Sequence, residues 1–462
     1  MRYISTRGGA EPVDFVEACL TGLAPDGGLY VPEEWPQIAP AQAGETYVQI
    51  ASRILKTFAG DALSEADIAG LCARAYASFS HQAVTPLTQS GPNEFVMELH
   101  HGPTLAFKDV AMQFIGQLYD LVLDRRGERM SVVCATSGDT GGAAAAAFAG
   151  AKQVDLYILH PHERVSPVQR LFMTTTGAQN VHNLAVDGDF DDCQALVKAM
   201  FADPTFATDV RLSGVNSINW ARIAAQSVYY AAAQVALGQE RALRFVVPSG
   251  NMGDAFAGYV AARCGLLNGF EMVCAVNENQ TLNTLLTDGV MKRERAVATP
   301  SPAMDISVPS NFERLLFEVS SRNGDAVRRI YEQYAQSGAA DLPSSVRGPL
   351  SCTGISSNVV SNHDTVLEMQ EFKTRTGALI CPHTAVGTAA ARRLAQDEAC
   401  TVILSTAHAA KFPETVLEAT GDQAGLPDRC QALHEREEIF ERVTNDLGVV
   451  KNLIRSKLVA DA

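Results

Sequence analysis

A lysine that follows an aromatic residue at the end of a small-residue turn is placed to react with a carbonyl. Lys108, in Glu98-Leu-His-His-Gly-Pro-Thr-Leu-Ala-Phe-Lys-Asp109, is such a residue. In a partly desolvated pocket a lysine gives up its charge more readily than in water, and the neutral amine condenses with aldehydes. Apolar residues recur at helical spacing from Ala111 to Leu123. They predict a helix with Asp109 in its first turn, where a carboxylate suits the helix dipole. By itself the motif also fits a solvated surface lysine.

Two glycine-rich turns add a second kind of chemistry. Ser131-Val-Val-Cys-Ala-Thr-Ser-Gly-Asp-Thr-Gly-Gly142 reads as a buried strand, a polar turn and then an alanine-rich helix, Ala143 to Ala149. Arg244-Phe-Val-Val-Pro-Ser-Gly-Asn-Met-Gly-Asp254 repeats that plan, with a helix from Ala255 to Cys264. Such turns aim backbone N–H groups outward at a helix start, which suits phosphate. Neither contains the Walker lysine nor G-x-G-x-x-G, so nucleotide binding is not favoured. A third strand, within Thr401-Val-Ile-Leu-Ser-Thr-Ala-His-Ala-Ala-Lys-Phe412, delivers Ser405, Thr406 and His408 to its carboxyl end. Ligands of open α/β sheets sit outside those ends. A carbonyl-reactive lysine, anion cradles and a hydroxyl are together what pyridoxal 5'-phosphate requires.

At this point the chain resembles the longer branch of the threonine synthases, in the tryptophan-synthase-β fold group. The matching segments run in order along most of its length. They are Gly22-Leu-Ala-Pro-Asp-Gly-Gly-Leu-Tyr-Val-Pro32, His101 to Asp109, Ala135 to Gly141, Asp187-Gly-Asp-Phe-Asp191 with Cys193-Gln-Ala-Leu-Val197, Asn216-Ser-Ile-Asn219, Pro248 to Asp254, Ala303-Met-Asp305 and Thr406-Ala-His408. Two departures stand out: Met252 where the family usually has Phe, and Ala409 where it commonly has Pro. Neither removes a functional group.

The resemblance implies roles residue by residue. Lys108 would carry the cofactor and serve as general acid–base. Gly250, Asn251, Met252, Gly253 and Asp254 would form the phosphate cup. Thr406 would bond the pyridine nitrogen, and Asp139 would lie near the ring hydroxyl or the substrate carboxylate. Substrate contacts would come from Thr104, Ser137, Thr140, Asn216, Ser217, Asn219 and Arg222. The implied reaction turns O-phospho-L-homoserine and water into L-threonine and phosphate, in the last step of threonine biosynthesis. A phospholyase making 2-oxobutanoate, or a serine/threonine dehydratase-like lyase, remains open on the same scaffold. A non-catalytic relative is disfavoured, because Lys108 and the Asn251 loop are intact.

The elements that must position these groups are legible in outline. At 462 residues the chain can bury more than one core, and 47% hydrophobic with 19% charged residues is an ordinary globular composition. We expect an α/β protein of the fold-type II pyridoxal-phosphate class: two open, twisted, mostly parallel sheets flanked by helices, with an added N-terminal helical segment. The expected division is 1–88, with helix faces at Ile50, Ile54, Leu55 and Phe58 and at Ile68, Leu71, Cys72 and Tyr76; 89–240, a smaller mobile domain carrying the lysine; and 241–462, a larger domain with the phosphate loop. Strands are expected at 131–135, 154–159, 180–186, 244–247, 271–276, 377–381 and 401–405, and a terminal helix at 431–458.

A net charge of −15 argues against a nucleic-acid partner. The ten cysteines are scattered without C-x-x-C, no apolar run spans a bilayer, and no histidine pair has metal-site spacing; His160-Pro-His162 reads as a loop. These features predict a cytoplasmic protein with reduced thiols, bound to no membrane or metal; the resemblance implies a monomer or homodimer.

Overall fold

Apolar runs separated by helices form two parallel sheets in the computed structural model, which describes residues 1–394 and 399–460. The larger sheet has six strands in the order Ile355–Val359, Glu271–Val276, Leu243–Pro248, Cys400–Ser405, Glu94–Glu98 and Leu87–Gly91. All neighbours are parallel except the last pair, an antiparallel hairpin at the edge. The smaller sheet runs Glu441–Thr444, Val181–Asp187, Val154–Pro161, Met130–Ala135, Leu212–Ser213, parallel throughout. Near-continuous burial of Leu243–Pro248 and Val154–Pro161 is that of parallel strands covered on both faces.

Strands are not shared between the sheets in the contiguous blocks expected. Glu94–Glu98, which leads to Lys108, pairs with Cys400–Ser405 in the larger sheet, and Glu441–Thr444 returns to the smaller one. No strand forms at 377–381. Gly377, at φ 75°, closes the helix Asn362–Thr376, and Cys381 caps the helix Pro382–Arg392. The edge place goes to Ile355–Val359, whose polar residues hid it. The expected terminal helix is instead a 3₁₀ turn Asp428–Glu435, the strand Glu441–Thr444 and a helix Leu447–Ala460. His160 belongs to a strand rather than a loop.

The N-terminal segment forms the two expected amphipathic helices. Thr46 with Gln49, and Ser64 with Asp67, make reciprocal capping boxes for Tyr47–Ala59 and Glu65–Tyr76. Their expected apolar faces are buried, and the rings of Tyr3, Trp35 and Phe58 surround Trp220 at the start of Trp220–Leu237. That helix packs against Lys108–Arg126, which also packs against Asp139–Phe148. Gly116 permits the second contact, since a Cβ there would lie 2.3 Å from the Ala147 carbonyl oxygen. The lysine helix therefore bridges the two sheets. Among the described residues, no helix is long and apolar enough to cross a membrane.

Candidate active site

Lys108 opens its helix as soon as the chain leaves the larger sheet. The turn before it is fixed at both ends. Asp109, fully buried, accepts hydrogen bonds from the Thr104 amide at 2.8 Å and the Thr104 hydroxyl at 2.6 Å. A side chain on Gly102 would collide with Asp109, and Leu105 sits at φ 61°. The turn is then clamped to the end of Cys400–Ser405. Phe107 N–H donates to the Thr406 carbonyl (2.8 Å), His408 N–H donates to the Leu105 carbonyl (3.0 Å), and Ala106 bridges Ala407. Thr406 and Lys108 are thus held at the same strand end by backbone.

The Lys108 side chain is buried, with Nζ 4.7 Å from the Phe107 ring centre and 3.2 Å from Asp139 Oδ2. Burial drives its ammonium below the ordinary lysine range; Arg222 and Lys411 add to that, and Asp139 opposes it. Asp139 begins the helix after the glycine turn. Its Oδ1 lies 2.7 Å from Lys411 Nζ and accepts from Gln169 Nε2 at 2.9 Å. Burial alone would raise the Asp139 carboxyl, but Lys108 and Lys411 outweigh it and hold the group well below the usual carboxylate range. Lys411 is fully excluded from solvent and also donates to the Thr104 carbonyl at 2.8 Å.

The loop Pro248 to Asp254 ends with Met252 in the left-handed region, φ 59°. The first intrahelical bond of Gly253–Arg263 closes at Phe256, so the preceding amides point out of the helix start. Side chains on Gly250 or Gly253 would press on Ile306 and the Ala303 carbonyl, or on Asn311. Asn311 fixes this loop to its neighbour, its Nδ2 donating to the carbonyls of Asn251 (3.2 Å) and Ser217 (3.0 Å). Ser310 Oγ adds a bond to Asn251 Oδ1 at 3.0 Å and lies 3.4 Å from Ser217 Oγ. Behind them the fully buried Arg314 donates to Asn311 Oδ1, to the Ile218 carbonyl and to the Tyr30 carbonyl.

Arg222 supplies a cation. It is 3% exposed, makes one long bond to the Val215 carbonyl (3.4 Å), and its Nε has no partner. Burial pulls its guanidinium down to about 10. A buried cation with no carboxylate at salt-bridge distance among the described residues, outward amides at a helix start and a buried amine all fit a phosphate-bearing aldehyde and a phosphorylated substrate.

Several expected contacts are placed otherwise. Asn219 caps Trp220–Leu237, and its amide donates to the carbonyls of Cys19 (2.7 Å) and Gly214 (3.2 Å) and to Tyr119 Oη (3.2 Å), so it builds the fold instead of facing substrate. Thr104 is similarly engaged with Asp109. The Asp254 carboxylate accepts from Tyr229 and Tyr230, and burial pushes it up to about 6. Ser137 and Thr140 lie in the glycine turn and first helical turn beside Asp139, and Asn216 and Ser217 lie beside the Asn251 loop.

Sequence reasoning missed Lys411, Gln169, Asn311, Arg314 and His383. His383 Nε2 accepts from the Ala303 amide at 3.1 Å, and burial pulls its imidazole down to about 3. Lys411 was findable as a lysine inside the apolar end of the Thr401 segment; the others carry no local signal.

Family models match along the chain: the threonine synthase N terminus over residues 2–76, pyridoxal-phosphate dependent enzyme over 79–345, and the threonine synthase C-terminal model over 384–454. The threonine synthase of Pseudomonas aeruginosa is 43% identical, covering 98% of both chains. A pyridoxal-phosphate-bound threonine synthase from Brucella melitensis superposes with TM-score 0.94 at 46% identity, covering 99% of both. The yeast enzyme gives TM-score 0.92 at 36% identity, again covering 99% of both.

Proposed function

The chain belongs to the threonine synthase family, and we propose that Lys108 is the amine on which its chemistry turns. It is a pyridoxal-phosphate-dependent lyase that converts O-phospho-L-homoserine and water to L-threonine and phosphate. The observation that carries the residue assignment is the meeting of a buried, charge-depressed Lys108 with the ionised Asp139 and the unpaired Arg222 at the carboxyl ends of the sheets.

Pyridoxal 5'-phosphate, when bound, supplies an aldehyde for amines and a ring that draws electrons from the carbon beside the amine. The outward amides of the Gly250 to Asp254 loop would hold its phosphate, and Thr406 would offer a hydroxyl to its ring nitrogen. Asp139, kept ionised by Lys411, orients Lys108 Nζ. With its amine free, Lys108 Nζ would take a proton from the substrate α-carbon, give it up, and then take one from the β-carbon; two protons return, one to the γ-carbon as phosphate leaves it and one to the α-carbon. Arg222, with Ser137, Thr140, Asn216 and Ser217, holds the leaving phosphate, where fixed donors stabilise developing charge most. Water adds its hydroxyl at the β-carbon, and its proton leaves with the phosphate. The smaller sheet and its helices close over the substrate and exclude stray water.

The acidic surface, at net charge −15, and ten free cysteines, nine of them buried, support a cytoplasmic setting without nucleic acid. Product analysis with O-phospho-L-homoserine tests the assignment. Equal yields of threonine and phosphate from the wild type, and neither from Lys108→Ala, support it. Phosphate with 2-oxobutanoate and no threonine would move the reaction to a phospholyase.

A further inference from the structure

Away from the catalytic centre, the N-terminal turn and the helix Gly324–Ser337 enclose a cleft of about 380 Å³. The turn contributes Arg7 and Asp26; the helix contributes Arg328, Tyr331, Glu332 and Tyr334; Arg293 closes a third side. Close backbone packing holds this arrangement. A Cβ on Gly324 would lie 2.7 Å from the Gly8 nitrogen, and Gly8 itself sits at φ 71°. Arg7 is fixed by two bonds to Glu313, at 3.1 and 2.9 Å, and lies 5.0 Å from the centre of the Tyr331 ring. Arg293 lies 5.3 Å from the centre of the Tyr334 ring.

Two charges in this cleft are left over. Asp26 accepts from Ser5 Oγ and the amides of Gly9 and Gly28, yet no cation lies within salt-bridge distance of it among the described residues. Arg293 likewise has no carboxylate within that distance among the described residues. Arg328 is held by Asp325, 2.5 Å away, and by the Arg7 carbonyl, and leaves Glu332, 3.9 Å from it, open to solvent. The hydroxyls of Tyr331 and Tyr334 are buried without partners, and Tyr334 is 8% exposed. An unpaired guanidinium and an unpaired carboxylate facing one space, over two tyrosine rings, match a molecule carrying both charges.

We propose that this cleft binds a small zwitterion, a free α-amino acid in class, its carboxylate on Arg293 and its ammonium on Asp26 and Glu332. The site is joined to the catalytic loops by one short path. Arg7 holds Glu313, and the next residue, Arg314, holds Asn311, which holds Asn251 and Ser217.

The test is calorimetric titration of the cofactor-loaded full chain with each protein amino acid in turn, with cofactor absorbance followed in the same samples. At least one amino acid is expected to bind while absorbance stays unchanged, and Arg293→Ala, an exposed position that leaves the core intact, weakens that binding about tenfold or more. The matching amine and the matching carboxylic acid each bind more weakly than the amino acid. The proposal is overturned if all binding is accompanied by an absorbance change, which places it at the cofactor. Undiminished binding by Arg293→Ala, or capture of inorganic phosphate and no amino acid, overturns it equally.

Discussion

Lys411 Nζ lies 2.7 Å from Asp139 Oδ1, in a position with no solvent exposure. The other oxygen of that carboxylate is 3.2 Å from Lys108 Nζ. One buried anion is therefore shared by two buried lysines, of which Lys108, the proposed reactive one, is the less enclosed. Lys411 keeps Asp139 ionised without competing for substrate, because its remaining hydrogen bond is to the Thr104 carbonyl.

Replacing Lys411 by Met should leave Asp139 short of a cation and cost about 3–5 kcal/mol of stability, as breaking one side of a buried pair does. Adding Asp139→Asn removes the orphaned charge, so the double variant should be more stable than Lys411→Met alone. Denaturant unfolding of the two single variants and the double decides this. Additive losses would mean that the pair is not coupled.

Lys108→Ala should lower turnover by about a thousandfold or more, the range lost with a general acid–base group. Folding should be largely retained, since Asp139 keeps its closer partner Lys411 at 2.7 Å. Steady-state phosphate release beside a thermal melt checks both halves. A variant that melts early would show Lys108 to be structural.

At Gly138 the backbone takes φ 136°, and a Cβ would lie 2.5 Å from Gln169 Cδ. Gly138→Ala should cost about 1–3 kcal/mol through the backbone alone. It should also displace Gln169 from Asp139 Oδ1 and so lower activity more than Gln169→Ala does. Equal activity in the two variants would confine the effect to the side chain.

How much of this was readable in advance depended on whether chemistry and backbone coincide locally. Lys108, the Asn251 loop and the Thr406 strand end announce themselves, because each sits where a strand meets a turn of unusual residues. Arg314 does not: it is an arginine on an amphipathic helix, and its partners lie at Tyr30, Ile218 and Asn311, brought together only by folding. The polarity of Asn219 was readable, but its structural use was not, since its acceptors, such as the Cys19 carbonyl, come from another segment. The strand Ile355–Val359 escaped notice because three of its five residues are polar at an exposed sheet edge. The apolar stretch at 377–381 looked like a strand, yet a glycine stop and a cysteine cap sit at its two ends.

His160 offers a prediction outside the catalytic site. Both ring nitrogens are buried without partners, and burial pulls the imidazole down to about 4. Unfolded, the same group titrates near pH 6.5, so below that the unfolded chain binds a proton that the folded chain refuses. Stability due to His160 is therefore full above pH 6.5 and falls as pH drops toward 4, by about 1.4 kcal/mol per pH unit. His160→Leu has similar volume and no nitrogen to leave unpaired. It should match or exceed the wild-type midpoint at pH 7.5, and lose less between pH 6.5 and 5.5. Thermal melts at those three pH values check it; a parallel decline in both proteins would mean that other groups, such as the buried His100 and His383, set the acid limit.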